Sequence, residues 1–166
     1  MSKKKKQILE LYLLKKQQDH YRYVYSIIKH RDDALDVVQE SILKALKSYH
    51  QLKDTTKINA WFYRILMTTS YDYLRKNKKY NTQLSEVSKL HLSSYFDQYA
   101  DIDLADAIST LSVNEQTALY FRYYEDMKNE DIAKLLGENI NTVKTRIYGA
   151  LKKLYPLLEP NIKEEK

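Results

Sequence analysis

Glycine and proline occur only twice each in this chain of 166 residues. Glycine supplies the positive φ of tight turns and proline interrupts helices, so a turn-rich β-sandwich or a glycine-looped nucleotide-binding fold lacks the residues it needs. The hydrophobic content of 43% is enough for one compact domain or two small ones. The sequence therefore predicts an all-α protein.

Cysteine is absent, which excludes disulfides, thiolate zinc sites and cysteine nucleophiles and fits a reducing cytoplasm. The longest stretch without a charged residue, 107–114, is far shorter than the roughly 20 apolar residues that span a bilayer. The N-terminus MSKKKKQILELYLLKK starts like a signal peptide, but Glu10 interrupts its apolar run and no small cleavage-site residues follow. We expect a cytoplasmic protein without membrane insertion, beginning with an amphipathic, basic helix.

Positive charge is concentrated in the first half of the chain. Residues 1–80 carry 18 Lys and Arg against 8 Asp and Glu, whereas residues 105–166 carry 9 against 10. A basic surface of this kind favours nucleic acid or an acidic membrane as partner, and a merely solvated lysine surface is the open alternative.

Three segments differ in pattern. Residues 1–79 have helical periodicity, residues 80–104 are rich in polar residues without a sustained period, and residues 105–166 are helical again. We therefore predict two small helical domains, 1–79 and 105–166, joined by a short linker, 80–104.

The helix predicted over residues 33–49 has two unlike faces. The expected core face comprises Ala34, Leu35, Val38, Ile42, Ala45, Leu46 and Tyr49. The opposite face comprises Asp33, Asp36, Glu40, Lys44 and Lys47, flanked by Val37, Gln39 and Leu43. An acidic face with apolar shoulders suits docking on a basic protein surface, and an ordinary solvated face is the alternative.

Residues 61–76 predict a second helix with an unusual exterior. Its expected core stripe comprises Phe62, Ile65, Leu66, Thr69 and Tyr73, and its outward face comprises Arg64, Thr68, Tyr71 and Arg75. An aromatic ring between two arginines can stack unpaired bases while the arginines bind backbone phosphates. With 16 Tyr in the chain, packing is the competing role for any one of them.

The C-terminal segment has helix-turn-helix spacing. Ser112 and Glu115 predict a capping box that opens a helix through about Tyr124. Asn129 is expected to cap a short second helix, and Gly137 occupies the turn that needs a positive φ. A third helix is expected to start near Asn141 and to stop before Pro156.

That third helix separates an apolar face from a polar one. The expected core face comprises Val143, Ile147, Ala150, Leu151 and Leu154. The outward face comprises Asn141, Thr145, Tyr148 and Lys152, with Lys144, Arg146 and Lys153 beside it. Residues 139–155 hold four basic residues and no acid, which favours insertion into the major groove of DNA.

Both halves resemble a known family. The stretches DDALDVVQESILKAL (32–46) and AWFYRILMTTSYDYLRKNKK (60–79) resemble region 2 of bacterial RNA polymerase sigma factors, and residues 107–154 resemble their region 4. The order of the two blocks and the short linker between them are similar to the extracytoplasmic-function (ECF) group of sigma-70 factors.

The resemblance implies three binding surfaces. Asp36, Gln39, Glu40 and Leu43 would dock on the β′ clamp helices of core RNA polymerase, which would contact the chain through its β flap as well. The −10 promoter element would meet the loop residues Leu52 and Lys53 and the face formed by Arg64, Thr68, Tyr71 and Arg75. The −35 element would meet Asn141, Thr142, Lys144, Thr145, Tyr148 and Lys152.

The resemblance further implies regulation by an anti-sigma factor. Three positions depart from the family pattern. Asn139 and Asn141 stand where relatives often have Pro and Gly, Gly149 stands where many have Arg, and the loop after Tyr49 lacks the frequent Phe and Gly.

Other function classes have less support from the residues. The four His are scattered without metal-ligand spacing, and no nucleophile motif or cofactor loop is present, so we expect no enzyme, no metal and no cofactor. A dimeric helix-turn-helix regulator that does not replace a sigma subunit is the main alternative. A helical protein at an acidic membrane surface is the third.

Overall fold

The computed structural model describes residues 2–77 and 102–163, with side chains in 2–77 and 106–157. Regular structure in these ranges is helical throughout, which confirms the all-α prediction. The chain divides into two compact units, Met1–Ser88 and Lys89–Lys166. The predicted linker 80–104 lies mostly outside the described residues, but its last three residues belong to a helix that begins at Ile102. The predicted boundaries at 79 and 105 stay predictions.

In residues 2–77, the first unit is a bundle of four helices: α1 (Ser2–Lys15), α2 (Gln17–Ile28), α3 (Arg31–Ser48) and α4 (Ile58–Lys76). Two 3₁₀ turns, Tyr49–Gln51 and Thr55–Lys57, form the connection between α3 and α4. Helices α2, α3 and α4 pack on one another, and α1 packs against α3 and the first 3₁₀ turn. Lys29 ends α2 with a left-handed φ of 60°.

The core of this unit is apolar and aromatic. Its fully buried side chains include Leu9 from α1, Tyr23 and Val24 from α2, and Phe62, Tyr63 and Leu66 from α4. Complete burial of so many large side chains supplies most of the driving force for folding, at about 1.5–3 kcal/mol for each.

The buried arc of α3 is rotated relative to the prediction. Leu35, expected in the core, is 41% exposed, whereas Val37, expected outside, is 2% exposed. Because α3 packs against α2 and α4 together, the covered arc follows both neighbours rather than the most apolar stripe. The buried residues of α3 are therefore Ala34, Val37, Val38, Ser41 and Ala45.

The core stripe of α4 is wider than predicted. Phe62, Leu66 and Thr69 are buried as expected. Ile65 and Tyr73 are half-buried. Tyr63, Met67 and Ser70 are buried in addition.

The second unit contains α5 (Ile102–Ser109), α6 (Val113–Leu119), α7 (Asn129–Leu136) and α8 (Ile140–Lys163). A π-helical turn, Tyr120–Tyr124, extends α6. The predicted capping box is confirmed, because the Ser112 hydroxyl accepts from the Glu115 N–H and the Glu115 carboxylate accepts from the Ser112 N–H. Gly137 adopts φ +67° in the turn between α7 and α8, as its position predicted.

Two predictions about helix ends were wrong. The N-cap of α7 is Lys128 rather than Asn129, and Asn129 is the first helical residue. Helix α8 continues through Pro156 to Lys163. Proline removes one N–H from the helix and crowds the preceding turn, but at this position the loss of one hydrogen bond does not end the helix.

The core of the second unit joins helices α5 to α8. Ala107 and Leu111 pack with Ala150 and Leu154 of α8, and Ile108 and Leu119 lie against this cluster. Phe121, Ile132 and Val143 are fully buried. The core prediction for α8 is confirmed at Val143, Ile147, Ala150 and Leu154, but Leu151 is 39% exposed.

Candidate nucleic-acid interface

The exposed face of α4 carries the arginines singled out from the sequence. Arg64, Thr68 and Arg75 are exposed, whereas Tyr71 is half-buried. The Thr68 hydroxyl donates to the Arg64 carbonyl at 2.9 Å, and the Arg75 guanidinium forms an ion pair with Asp72. The face therefore offers two guanidinium groups at its two ends, one of them oriented by a carboxylate.

The loop between α3 and α4 is shaped by a side-chain cap. The Asp54 carboxylate accepts from the Thr56 N–H at 3.0 Å and from the Thr56 hydroxyl at 2.7 Å. These hydrogen bonds lower the pKa of Asp54. Lys53 is exposed, but Leu52 is only 3% exposed. Leu52 therefore anchors the loop from below rather than presenting its side chain to solvent, because its apolar side chain packs into the core of the unit.

The predicted acidic face of α3 is at the surface. Asp36, Gln39 and Glu40 are exposed, and Leu43 is 57% exposed. Glu40 pairs with Lys44 at 3.3 Å. The Lys44 ammonium donates to the Thr69 hydroxyl on α4 at 3.1 Å, so the acidic face of α3 is tied to the neighbouring helix.

Further polar bridges hold the helices of the first unit together. The Tyr73 hydroxyl of α4 donates to the Asp33 carboxylate of α3. The Tyr12 hydroxyl of α1 donates to Asn59 Oδ1 at 2.7 Å and lies 3.0 Å from His20 Nε2. Because that hydroxyl has a single proton, His20 Nε2 must carry the proton that it donates to Tyr12.

His20 is buried between aromatic rings. Its ring lies 4.6 Å from that of Phe62 and 5.4 Å from that of Tyr63. Burial lowers the pKa of His20 from 6.5 to about 4. Sequence reasoning treated this histidine as one of four scattered residues and missed its role, because Tyr12 and Asn59 are 47 positions apart and no local pattern joins them.

The outward face of α8 is exposed along its first half. All six residues that the resemblance implied for the −35 element are at the surface: Asn141, Thr142, Lys144, Thr145, Tyr148 and Lys152. The Asn139 side chain accepts from the Asn141 N–H at 2.8 Å. Asn139 thus caps the N-terminus of α8.

Two flanking cations of α8 form ion pairs with carboxylates. Arg146 pairs with Glu138, and Lys153 lies 2.7 Å from Glu115. The hydrogen bond from Lys153 lowers the pKa of Glu115. Within residues 106–157, none of the ion pairs involves Lys144 or Lys152, so these two cations remain available to an anionic partner.

The described ranges hold neither a metal cluster nor a membrane span. In residues 2–77 and 106–157, no three His, Asp or Glu side chains cluster so that they could hold a metal ion. Across the helices that are described, none combines the length and the apolar character needed to cross a bilayer.

Both units match known protein families. Residues 14–80 match the family model "Sigma-70 region 2", and residues 101–154 match "Sigma-70, region 4". RNA polymerase sigma factor SigV of Bacillus subtilis is 46% identical over 135 residues, which are 81% of this chain and 81% of that protein. The chain belongs to the sigma-70 family. Within that family it is a member of the ECF group.

The chain is also similar to more distant sigma factors. The ECF RNA polymerase sigma-E factor of Haemophilus influenzae is 27% identical, over 78% of this chain and 77% of that protein. The sigma factor RpoE of Bartonella quintana, solved in complex with the anti-sigma factor NepR, has a TM-score of 0.71 at 23% identity, over 90% of this chain and 96% of that one. CnrH, solved with the cytosolic domain of CnrY, has a TM-score of 0.66 at 20% identity, over 92% of this chain and 88% of that one. These two structures share the fold.

As a sigma factor, the protein directs promoter-specific initiation of transcription by core RNA polymerase. The region 2 match assigns the N-terminal helices to a sigma-factor region rather than to a dimerisation or effector module, so the plain helix-turn-helix regulator is not favoured. Sigma factors as a family are not enzymes.

Proposed function

We propose that α3 anchors the sigma factor on the β′ clamp helices of core polymerase through Asp36, Gln39, Glu40 and Leu43. All four side chains are exposed on one helix, and Leu43 offers an apolar contact at 57% exposure. An acidic helix face with an apolar residue is complementary to a basic protein surface. Opposite charges raise the rate of association, and burial of the apolar side chain slows dissociation.

In this proposal the −10 element lies on α4 and the adjoining loop. Arg64 and Arg75 bind backbone phosphates, Thr68 and Tyr71 contact bases, and Lys53 meets the strand at the loop. Unpaired bases present a π-face and a flexible backbone, which aromatic and guanidinium groups bind together. Leu52 is buried under the loop and anchors the loop backbone on the core of the unit.

The −35 element is read by α8 in the major groove. Asn141, Thr142 and Thr145 can hydrogen-bond to base edges or phosphates from the first turns of the helix. Lys144, Tyr148 and Lys152 follow on the exposed side, and the two lysines are free of the ion pairs that occupy Arg146 and Lys153.

A single observation carries the proposal for region 2: adjacent helices of one unit expose faces of opposite charge. Helix α3 exposes Asp36 and Glu40, and α4 exposes Arg64 and Arg75. One unit can therefore bind polymerase and DNA on different surfaces. The protein would act in the cytoplasm without catalysis, cofactor or metal of its own, would contact the β flap through region 4, and would be held inactive by an anti-sigma factor.

Run-off transcription with purified bacterial core polymerase and a library of promoter templates tests the function. We expect transcripts with a defined start only when the sigma factor is present. Failure of core polymerase to bind the protein, or binding of the protein as a dimer to two half-sites without polymerase, would instead support a plain regulator.

Paired variants test the division of labour. Asp36→Lys with Glu40→Lys should abolish co-elution with core polymerase and leave −35 duplex binding unchanged. Lys144→Glu with Thr145→Ala should do the opposite, because each variant alters only one surface. Glu10→Lys with Asp106→Lys, two exposed acids elsewhere, is the charge-matched control and should retain both activities. Loss of both activities in both folded variants would contradict the proposal.

A further inference from the structure

The first turns of α1 carry a run of lysines that the surfaces above do not use. Lys3, Lys4 and Lys6 are exposed and Lys5 is half-buried. Within residues 2–77, none of the ion pairs involves any of the four. The run is therefore a concentrated and uncompensated positive charge.

This charge is badly placed for the stability of the helix. The N-terminus of a helix carries partial positive charge, so cations are unfavourable there and acids are preferred. The first turn of α1 contains no acid, and its lysines repel one another at i,i+3 spacing. Lysines that destabilise their own helix, with no acid of residues 2–77 paired with them, mark a candidate functional site.

Tertiary contacts fix the lysines beside the loop between α3 and α4. Leu9 and Leu13 bury one face of α1 in the core. Ser2 Oγ lies 2.8 Å from the hydroxyl of Tyr49, the first residue of the first 3₁₀ turn. The run thus begins next to a residue of the loop that carries Lys53.

A second contact shows which end of α4 lies near the lysines. Tyr12 of α1 donates to Asn59, which lies in the first turn of α4, whereas Arg75 lies in its last turn. With 19 residues and about 1.5 Å of rise for each, α4 is roughly 28 Å long. Lys3–Lys6 therefore extend the cationic surface past the loop, at the end opposite to Arg75.

We propose that Lys3–Lys6 bind the phosphates of the opened promoter strand where it continues beyond the loop, away from Arg75. The inference rests on the proposed binding of the −10 element by α4. The recognised group is the phosphate backbone of single-stranded DNA, since lysine ammonium groups contact phosphates without reading sequence. The contact prolongs the open complex whatever the bases beyond the −10 element.

An anionic membrane is the competing partner for the same lysines. Leu11 and Leu14 are 69% and 71% exposed on α1, and lysines beside exposed leucines are typical of helices that lie on lipid. DNA is favoured because the lysines, and not the leucines, adjoin the loop at Tyr49.

The test uses holoenzyme assembled from core polymerase and the full chain. Two single-stranded oligonucleotides carry the same −10 element, and one continues for about ten nucleotides on the loop side. Lys3→Gln with Lys4→Gln and Lys6→Gln should weaken binding of the long oligonucleotide roughly tenfold at low salt and leave the short one unchanged. The salt dependence of binding to the long oligonucleotide should become shallower by about 2 in slope, because each phosphate that a lysine neutralises on a single strand contributes about 0.7.

The charge-matched control removes three exposed lysines elsewhere: Lys15→Gln, Lys128→Gln and Lys134→Gln. It should bind both oligonucleotides like the parent. If the two triple variants behave alike on the long oligonucleotide, the inference is wrong. If the parent holoenzyme binds neither oligonucleotide, the proposed −10 surface fails instead.

Cross-linking tests the placement directly. Because the chain has no cysteine, Lys4→Cys gives a single site for a photoactivatable label. We expect cross-links to nucleotides beyond the loop side of the −10 element and none from the same label at Lys15→Cys. Cross-links only to nucleotides on the Arg75 side of the element would overturn the inference. It would also be overturned if the triple variant lost binding to vesicles of phosphatidylglycerol and kept the parent's DNA binding.

Discussion

The two units of this sigma factor position their binding surfaces by different means. In the region 2 unit, the exposed faces of α3 and α4 are set by contacts between helices far apart in sequence, such as Tyr73 to Asp33 and Lys44 to Thr69. In the region 4 unit, short-range features set where helices begin: the Ser112 capping box opens α6, and the left-handed Gly137 leads from α7 into α8.

The two units therefore differ in the substitutions and conditions that disturb them. Core substitution should disturb both units, because each holds a fully buried aromatic side chain. The buried His20 makes the first unit sensitive to pH in addition. A surface held by caps and turns responds to single backbone or capping changes of about 1 kcal/mol. Core variants and capping variants should therefore differ in the size of their effects.

Removal of a core aromatic should have the largest effect. Phe62→Ala leaves a cavity where the ring is 0% exposed and should destabilise the first unit by about 3–5 kcal/mol. Hydrogen exchange followed by mass spectrometry should show reduced protection in α2–α4 and retained protection in α6–α8. Phe121→Ala, equally buried, is the mirror-image control and should give the reverse pattern; uniform loss of protection in either variant would mean that the two units unfold as one.

Acidification should destabilise the first unit through His20. The pKa of His20 is about 4 in the folded protein and near 6.5 when unfolded, so between these values the unfolded chain binds a proton that the folded chain does not. The free energy of unfolding is therefore undiminished above pH 6.5 and falls by roughly 3 kcal/mol as the pH drops to 4.

Chemical denaturation across this pH range measures the effect. His20→Gln should flatten the pH dependence, since glutamine does not titrate and its amide can still donate to Tyr12. His50→Gln, an exposed histidine, should keep the parent's profile. Equal slopes for the parent and His20→Gln would assign the pH dependence to other groups.

Loss of the capping box should destabilise the second unit modestly. Ser112→Ala removes the hydroxyl that accepts from the Glu115 N–H and should lower the free energy of unfolding of that unit by about 1 kcal/mol. Thermal unfolding measures the change, with Ser109→Ala as the control. An unchanged transition for Ser112→Ala would mean that tertiary packing alone sets the start of α6.

The smallest predicted effect is a gain. Gly149 lies inside α8 with nothing within 4 Å of an added Cβ, so Gly149→Ala should stabilise the second unit by about 0.5–1 kcal/mol. Gly137→Ala should do the opposite, because φ +67° is unfavourable for a side chain. Differential scanning calorimetry compares the two; a loss of stability in both would indicate that α8 requires flexibility at Gly149.

Local signals made the second unit readable from sequence. Ser112 with Glu115, Gly137, and the buried stripe from Val143 to Leu154 were all found from spacing alone. The errors there were at Asn129, Leu151 and Pro156. They arose because a cap position, the edge of a buried face and tolerance of proline depend on neighbours that spacing does not describe.

The first unit was less readable in its details. Periodicity found α3 and α4 and the exposed residues Asp36, Glu40, Arg64 and Arg75. It placed Leu35 inside and Val37 outside, because hydrophobicity along one helix does not reveal how many neighbours cover it. Leu52 was assigned to DNA by the family resemblance, and its burial depends on the packing of the loop on the core.

The sequence by itself determined the helical class, the order of the two regions and the charge that each exposed face carries, since these follow from residue type and from spacing along a single helix. Only the tertiary structure decided which arc of α3 is buried, that His20 is held neutral between Tyr12 and Phe62, and that Lys3–Lys6 lie beside Tyr49. Each of these depends on residues distant in the chain meeting in one packed core, and such meetings are fixed by the joint burial of several helices rather than by any local pattern.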